Sequence, residues 1–274
     1  MRKTEMRNPK TMHLDTMTIM EMLEVMNAEN MNAVKAVEAE LEHIEKAVEI
    51  ISTAISKGGR LIYMGAGTSG RLGVLDASEC PPTFGVSPET VVGIIAGGDK
   101  CLRFASEGAE DDAKAGIQDI SALSLTPQDV LVGISVAGAA AYILSAIEYA
   151  KECGCKTVGL TSNADSPLAK ITDVAICTDT GAEVLTGSTR LKAGTAHKLV
   201  LNMLSTCSMV QQGYVYENLM INLKPTNTKL KDRVIRIVSD ITALPYSEAT
   251  LLLEENEWNI RNAIQAFQSD KQLR

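Results

Sequence analysis

Gly65, Gly67 and Gly70 follow the apolar run Leu61-Ile62-Tyr63-Met64 in Gly-x-Gly-x-x-Gly spacing, with Thr68, Ser69 and Arg71 set around the last glycine. A carboxylate, Glu79, stands a little further on between Ser78 and Cys80, ahead of Pro81-Pro82. Glycines permit backbone angles and close ligand approach that a Cβ blocks. A helix opening near Ser69 adds unpaired amides and the positive end of a dipole, and two hydroxyls converge on the same point. The pattern predicts a pocket for a phosphate, such as that of a sugar phosphate. Arg71 either adds charge there or faces solvent. Glu79 is the candidate general acid, stiffened by the two prolines, and burial would have to raise its pKa for that work.

The same glycines match the dinucleotide fingerprint, which expects an acidic residue about 20 positions on, at the end of the second strand. Here Glu89 precedes the next apolar run and Asp99 comes late. The dinucleotide reading fits poorly, and a ligand-free glycine turn stays open.

These groups need a scaffold. From residue 60 onward, apolar runs at Leu61–Met64, Val91–Ala96, Val130–Val136, Thr157–Leu160 and Val174–Thr178 alternate with helical stretches. That alternation predicts an α/β fold, a doubly wound parallel sheet flanked by helices, with the site in the turns at the strand carboxyl ends. Val34, Val37, Leu41, Ile44, Val48, Ile51 and Ile55 predict one helix from about Met31 to Lys57, closed by Gly58-Gly59. Its regular stripe suits packing on the core or a helix contact between subunits. Lys192 to Gly213 reads as a long core helix, and three short helices follow near 228–241, 246–254 and 258–268. The expected organisation is an N-terminal helical segment over 1–58, a central domain over 59–225 and a small helical appendage over 226–274.

A chain of 274 residues with 45% hydrophobic content can bury a substantial core. Its net charge of −8 and lack of a Lys/Arg cluster argue against nucleic acid or an anionic membrane as partner. No apolar stretch is long enough to span a bilayer. The basic N-terminus lacks a following apolar region, so a cytoplasmic location is expected. Six cysteines without Cys-x-x-Cys spacing suit reduced thiols, and three scattered histidines make a metal site unexpected; His197 reads as a structural helix residue.

The run Gly65 to Pro82, with Glu107-Gly-Ala-Glu110-Asp111 and Leu185 to Lys198, resembles the N-acetylmuramic acid 6-phosphate etherases, members of the sugar isomerase (SIS) fold. The likeness extends from Thr4-Glu-Met-Arg-Asn8 to about Ile264. It implies a lyase that cleaves the lactyl ether at C3 of N-acetylmuramic acid 6-phosphate, giving N-acetylglucosamine 6-phosphate and D-lactate, with no cofactor and as a homodimer. Elimination from C3 needs a base at C2 and an acid on the leaving oxygen, followed by water addition. Glu79 and Glu110 match the family's acidic positions, Glu79 as the acid and Glu110 for the C2 proton or the water. Glu110 is expected at the edge of a buried helical stripe of Leu102, Ala105, Ala109 and Ala113. Outside the resemblance, the acidic run from Glu107 to Asp112 reads as a solvated face. The phosphate is expected to meet Gly67, Thr68, Ser69, Gly70 and Arg71, with Ser135, Ser188, Thr189 and Lys192 beside them. Ser188 and Thr189 equally suit ordinary helix capping.

The chain departs from the family in the second phosphate loop, where Ser-Gly-Arg-Thr-Pro is usual and Ala137-Gly138-Ala139-Ala140-Ala141 stands instead. Ser135-Val136 there is similar to the glucokinase regulatory protein, so the alternative is an impaired or non-catalytic sugar-phosphate-binding regulator. The family also continues past Ile264 for a further helical stretch, so a shortened appendage is expected.

Overall fold

A computed structural model describes residues 3–223, 225 and 228–272. The chain divides into two compact units, Met1–Ser78 with Glu89–Ser208, and Glu79–Pro88 with Met209–Arg274.

The first unit opens with helices α1 (Ile19–Glu38) and α2 (Leu41–Ser56). Strand β1 (Leu61–Gly65) follows, then α3 (Gly67–Phe84), β2 (Val91–Ile95) and α4 (Ala113–Ser121). Next come β3 (Val130–Ile134), α5 (Ala141–Glu152), β4 (Lys156–Thr161), α6 (Pro167–Ile171), β5 (Val174–Cys177) and α7 (Lys192–Gln211). The strands pair in parallel in the order β2-β1-β3-β4-β5. β1 and β3 are buried along their whole length, which explains their unbroken apolar sequence. Each strand read from the apolar runs is present within a residue or two at its ends. In this order the connections leave in opposite directions between β1 and β3, which opens a crevice at the strand carboxyl ends.

The single helix expected over 31–57 is two. α1 begins twelve residues earlier than expected, at a Thr18/Glu21 capping box, and ends at Glu38. Glu40 sits in the break, where its carboxylate accepts the Cys177 amide at 3.0 Å and meets His43 at 2.9 Å. The break thus meets the edge strand, a contact 137 positions away that periodicity does not reveal. The stripe divides accordingly: Val37, Ile44 and Ile51 are buried, while Val34 and Leu41 are half exposed.

The helix expected around Glu110 is also absent. Short 3-10 turns at Asp99–Leu102 and Ala109–Asp111 flank a loop, and α4 starts only at Ala113. Gly108 at φ 74° interrupts the path, and Asp112 caps α4 by accepting the Ala115 amide at 2.9 Å. Ala105 and Ala113 are exposed, so no buried stripe exists there.

In the second unit, α8 (Thr228–Thr242), α9 (Tyr246–Glu255) and α10 (Ile260–Gln272) enclose Val234, Val238, Leu253 and Ala263. A small antiparallel pair, β6 (Val215–Tyr216) with β7 (Leu219–Met220), precedes them. Among the described residues, no helix is long and apolar enough to cross a membrane.

Candidate active site

The crevice at the β1/β3 switch holds a cavity of about 540 Å³. That volume lies within the range of small-molecule sites. One wall is the turn from β1 into α3. Gly65 and Gly70 let strand and helix meet there: a Cβ on Gly70 would lie 2.5 Å from the Gly65 carbonyl oxygen. Gly67, Thr68, Ser69 and Arg71 line the cavity, whereas Gly70 serves the packing beneath them and does not line it. Ser69 is 8% exposed, so its hydroxyl is held in a largely dry corner.

Arg71 takes neither of the roles expected of it alone. It lines the cavity, and its guanidinium Nε donates to the Leu102 carbonyl at 3.0 Å, with Nη2 reaching the Phe104 carbonyl at 3.4 Å. It therefore ties the loop ahead of Glu107 and Glu110 to α3. Both glutamates line the cavity on that side.

The turn from β3 into α5 forms a further wall through Ser135, Val136, Ala137 and Ala140. Ser135 Oγ accepts the Gly138 amide at 3.1 Å, which fixes the turn. Gly138 has φ 65°, and a Cβ on it would lie 2.3 Å from Ser166 Oγ. Ala140 occupies the N-cap of α5 without a side-chain hydrogen bond, so the first turn has no side-chain cap, and the Ile143 amide donates to the Ala140 carbonyl at 3.0 Å.

Gly187, Thr189 and Gly194 complete the lining with Thr4 and Glu5. Gly194 sits against both Thr189 and Thr68. Ser188 lies outside the lining. Lys192 is not a cavity residue either: it is 1% exposed and its Nζ donates to Glu29 Oε2 and to the Ala182 carbonyl, both at 2.6 Å. Its amide and that of Ala193 donate to Glu183, which caps α7 from a fully buried position. Burial raises the Glu183 pKa against those two amides and the Lys192 charge.

Glu79 stands apart from this lining. It lies on α3, which runs without a turn through Pro81 and Pro82 and ends where Gly85 donates to the Pro81 carbonyl at 2.9 Å. Glu79 is exposed, against the burial expected of it.

The chain matches known proteins along nearly its whole length. A protein from Glaesserella parasuis named N-acetylmuramic acid 6-phosphate etherase is 52% identical over 269 residues, covering 97% of this chain and 88% of the relative. The protein of that name from Oceanobacillus iheyensis is 51% identical over 95% of this chain and 89% of its own length.

The chain belongs to the N-acetylmuramic acid 6-phosphate etherase family.

Two domain models match within it, the glucokinase regulatory protein N-terminal SIS domain over 43–151 and the SIS domain over 111–207. The solved phosphoheptose isomerases of Francisella tularensis and Neisseria gonorrhoeae share its fold. The first has a TM-score of 0.55 at 20% identity over 72% of this chain and 100% of that one. The second has 0.52 at 21%, over 70% and 98%. For an etherase-family chain, the residues that sequence reading overlooked are Thr4, Glu5 and Glu107. Thr4 and Glu5 begin a motif that carried the resemblance, but nothing local shows that this segment reaches a cavity built from residues 66 to 194.

Proposed function

We propose that the crevice at the β1/β3 switch is where this chain cleaves the D-lactyl ether of N-acetylmuramic acid 6-phosphate. The products are N-acetylglucosamine 6-phosphate and D-lactate. The observation that carries this reading is one cavity with a glycine–hydroxyl turn on one wall and Glu107 and Glu110 on another. The phosphate sits at Thr68 and Ser69 against the first-turn amides of α3, aided by Ser135 and the uncapped first turn of α5. Thr189 adds a hydroxyl.

The chemistry needs two proton-transfer groups. Glu110 removes the C2 proton, the C3–O bond breaks, and an acid gives its proton to the departing lactate oxygen. Water then adds across the double bond, hydroxide to C3 and a proton to C2, which restores both carboxyl groups. Glu79 is the proposed acid. Its exposure, and its absence from the described lining, support a site completed by the Glu79 of a second copy. The exposed apolar residues on α1, Ile19, Leu23, Met31 and Val34, support such a homodimer. Six cysteines, none of them in a disulfide, support a reducing, cytoplasmic setting.

The binding-only alternative drawn from the alanine run gains no support, since the relatives that match nearly the whole chain are named etherases. The test is release of D-lactate from N-acetylmuramic acid 6-phosphate in deuterated water, with one deuterium expected at C2 of the product sugar. A folded protein that releases no lactate at saturating substrate overturns the reading.

A further inference from the structure

The cavity carries three carboxylates, and proton transfer at C2 and at the ether oxygen already has its groups. Glu5 and Glu107 are the two within this lining to which that chemistry gives no task, and of these Glu5 stands on the N-terminal segment. Its carboxylate lies over Gly187, 3.4 Å from where a Cβ on that glycine would stand. No hydrogen bond or ion pair with another described residue occupies it. The segment bearing it is nonetheless fixed. Thr4 is 2% exposed and its carbonyl accepts the Gly187 amide at 3.3 Å. Asn8 donates to Glu29 at 2.8 Å and to the Ala182 carbonyl at 3.1 Å, and Thr11 donates to the Val184 carbonyl at 2.8 Å.

A carboxylate on a fixed segment, paired with no other described residue, is an acceptor only. It repels phosphate and lactate carboxylate alike, so the partner that suits it is a hydroxyl donor. The single cation of the described lining, Arg71, has its guanidinium turned to backbone carbonyls and does not neutralise Glu5. Resting on the sugar-phosphate reading of this cavity, we propose that Glu5 is a specificity residue that accepts a hydrogen bond from a hydroxyl of the bound amino sugar. The N-terminal segment is then part of the substrate site, and the Asn8–Glu29–Lys192 cluster positions it.

The experiment measures calorimetric binding of N-acetylglucosamine 6-phosphate and of its 1-deoxy and 4-deoxy analogues to the full chain, with E5A and E5Q beside the parent protein. A hydrogen bond to a charged group predicts roughly 10- to 100-fold weaker binding in E5A, with E5Q between. One deoxy analogue should bind the parent protein more weakly by a similar factor and show no further loss in E5A. In turnover, KM should rise with kcat unchanged, the mark of uniform binding lost. Unchanged binding in E5A, equal losses on both analogues in E5A and E5Q alike, or a fall in kcat overturns the proposal. Binding without lactate release in the parent protein defeats the etherase reading alone and leaves the Glu5 comparison readable. No binding of the amino sugar phosphate defeats both.

Discussion

Lys192 Nζ lies 2.6 Å from Glu29 Oε2, with side chains 1% and 4% exposed. Lys10 reaches the other Glu29 oxygen at 2.9 Å. A residue expected to hold substrate is instead the buried half of an ion pair joining α1 to the start of α7. Removing one partner leaves a buried charge, which typically costs about 3–5 kcal/mol. K192M should lower the unfolding free energy read from urea titration by that order, and K192M/E29M should recover part of the loss. A K192M protein of parental stability whose only defect is substrate affinity would return Lys192 to the binding site.

Glu79 and Glu110 give a test of the shared site. E79Q and E110Q should each reduce kcat by about 10²- to 10⁴-fold, the usual contribution of a positioned acid or base. If each cavity draws Glu110 from one copy and Glu79 from the other, a hybrid dimer contains one intact site. Co-refolding equal amounts of the two variants should then restore about a quarter of parental lactate release, by random pairing in a two-fold dimer. No recovery from well-mixed, folded dimers places both glutamates in one chain's site.

The alanine loop is open to restoration. Ala137 and Ala140 line the cavity, and hydroxyls there would face the uncapped first turn of α5. A137S and A140T should each tighten binding of N-acetylglucosamine 6-phosphate, up to about tenfold per new bond to the phosphate. G138A should abolish it, because φ 65° and the 2.3 Å approach to Ser166 Oγ leave no room for a Cβ. Calorimetry on the three variants reads both effects.

Two buried groups set separate acid transitions. His197 is fully buried, and burial pulls its pKa from 6.5 down to about 4. The unfolded chain takes up that proton first, so the contribution is complete above pH 6.5 and is lost as pH falls toward 4. For Glu29, burial would raise the pKa, but hydrogen bonds from Lys10, Lys192 and Asn8 hold it at about 2, against 4.5 unperturbed. Its contribution is complete above 4.5 and is lost between 4.5 and about 2. Thermal melts across pH should show H197Q flattening the upper window alone and E29Q the lower one alone. An H197Q profile parallel to the parent between pH 6.5 and 4 would remove the histidine from this account.

Much of the fold was legible in the residues themselves. Leu61–Met64 and Val130–Ile134 are buried on both faces, and a parallel strand in that position has to be apolar throughout, so its sequence announces it. The glycine turn was legible for a similar reason: the backbone conformation and contacts it needs exclude side chains, and Gly65 and Gly70 meet that need within five positions.

The features readable from the residues alone were therefore local: strand content, the glycine turn, the long α7 and, through its motifs, the etherase family. Tertiary structure alone decided the rest, because each remaining feature is a pairing of distant groups. Glu40 meets Cys177 in the break between α1 and α2, Lys192 pairs with Glu29 across 163 positions, and Thr4 brings Glu5 to Gly187. No periodicity encodes such contacts. A lysine near a helix start has one local pattern whether it binds phosphate or closes a buried ion pair, and only the chain packed around it separates the two.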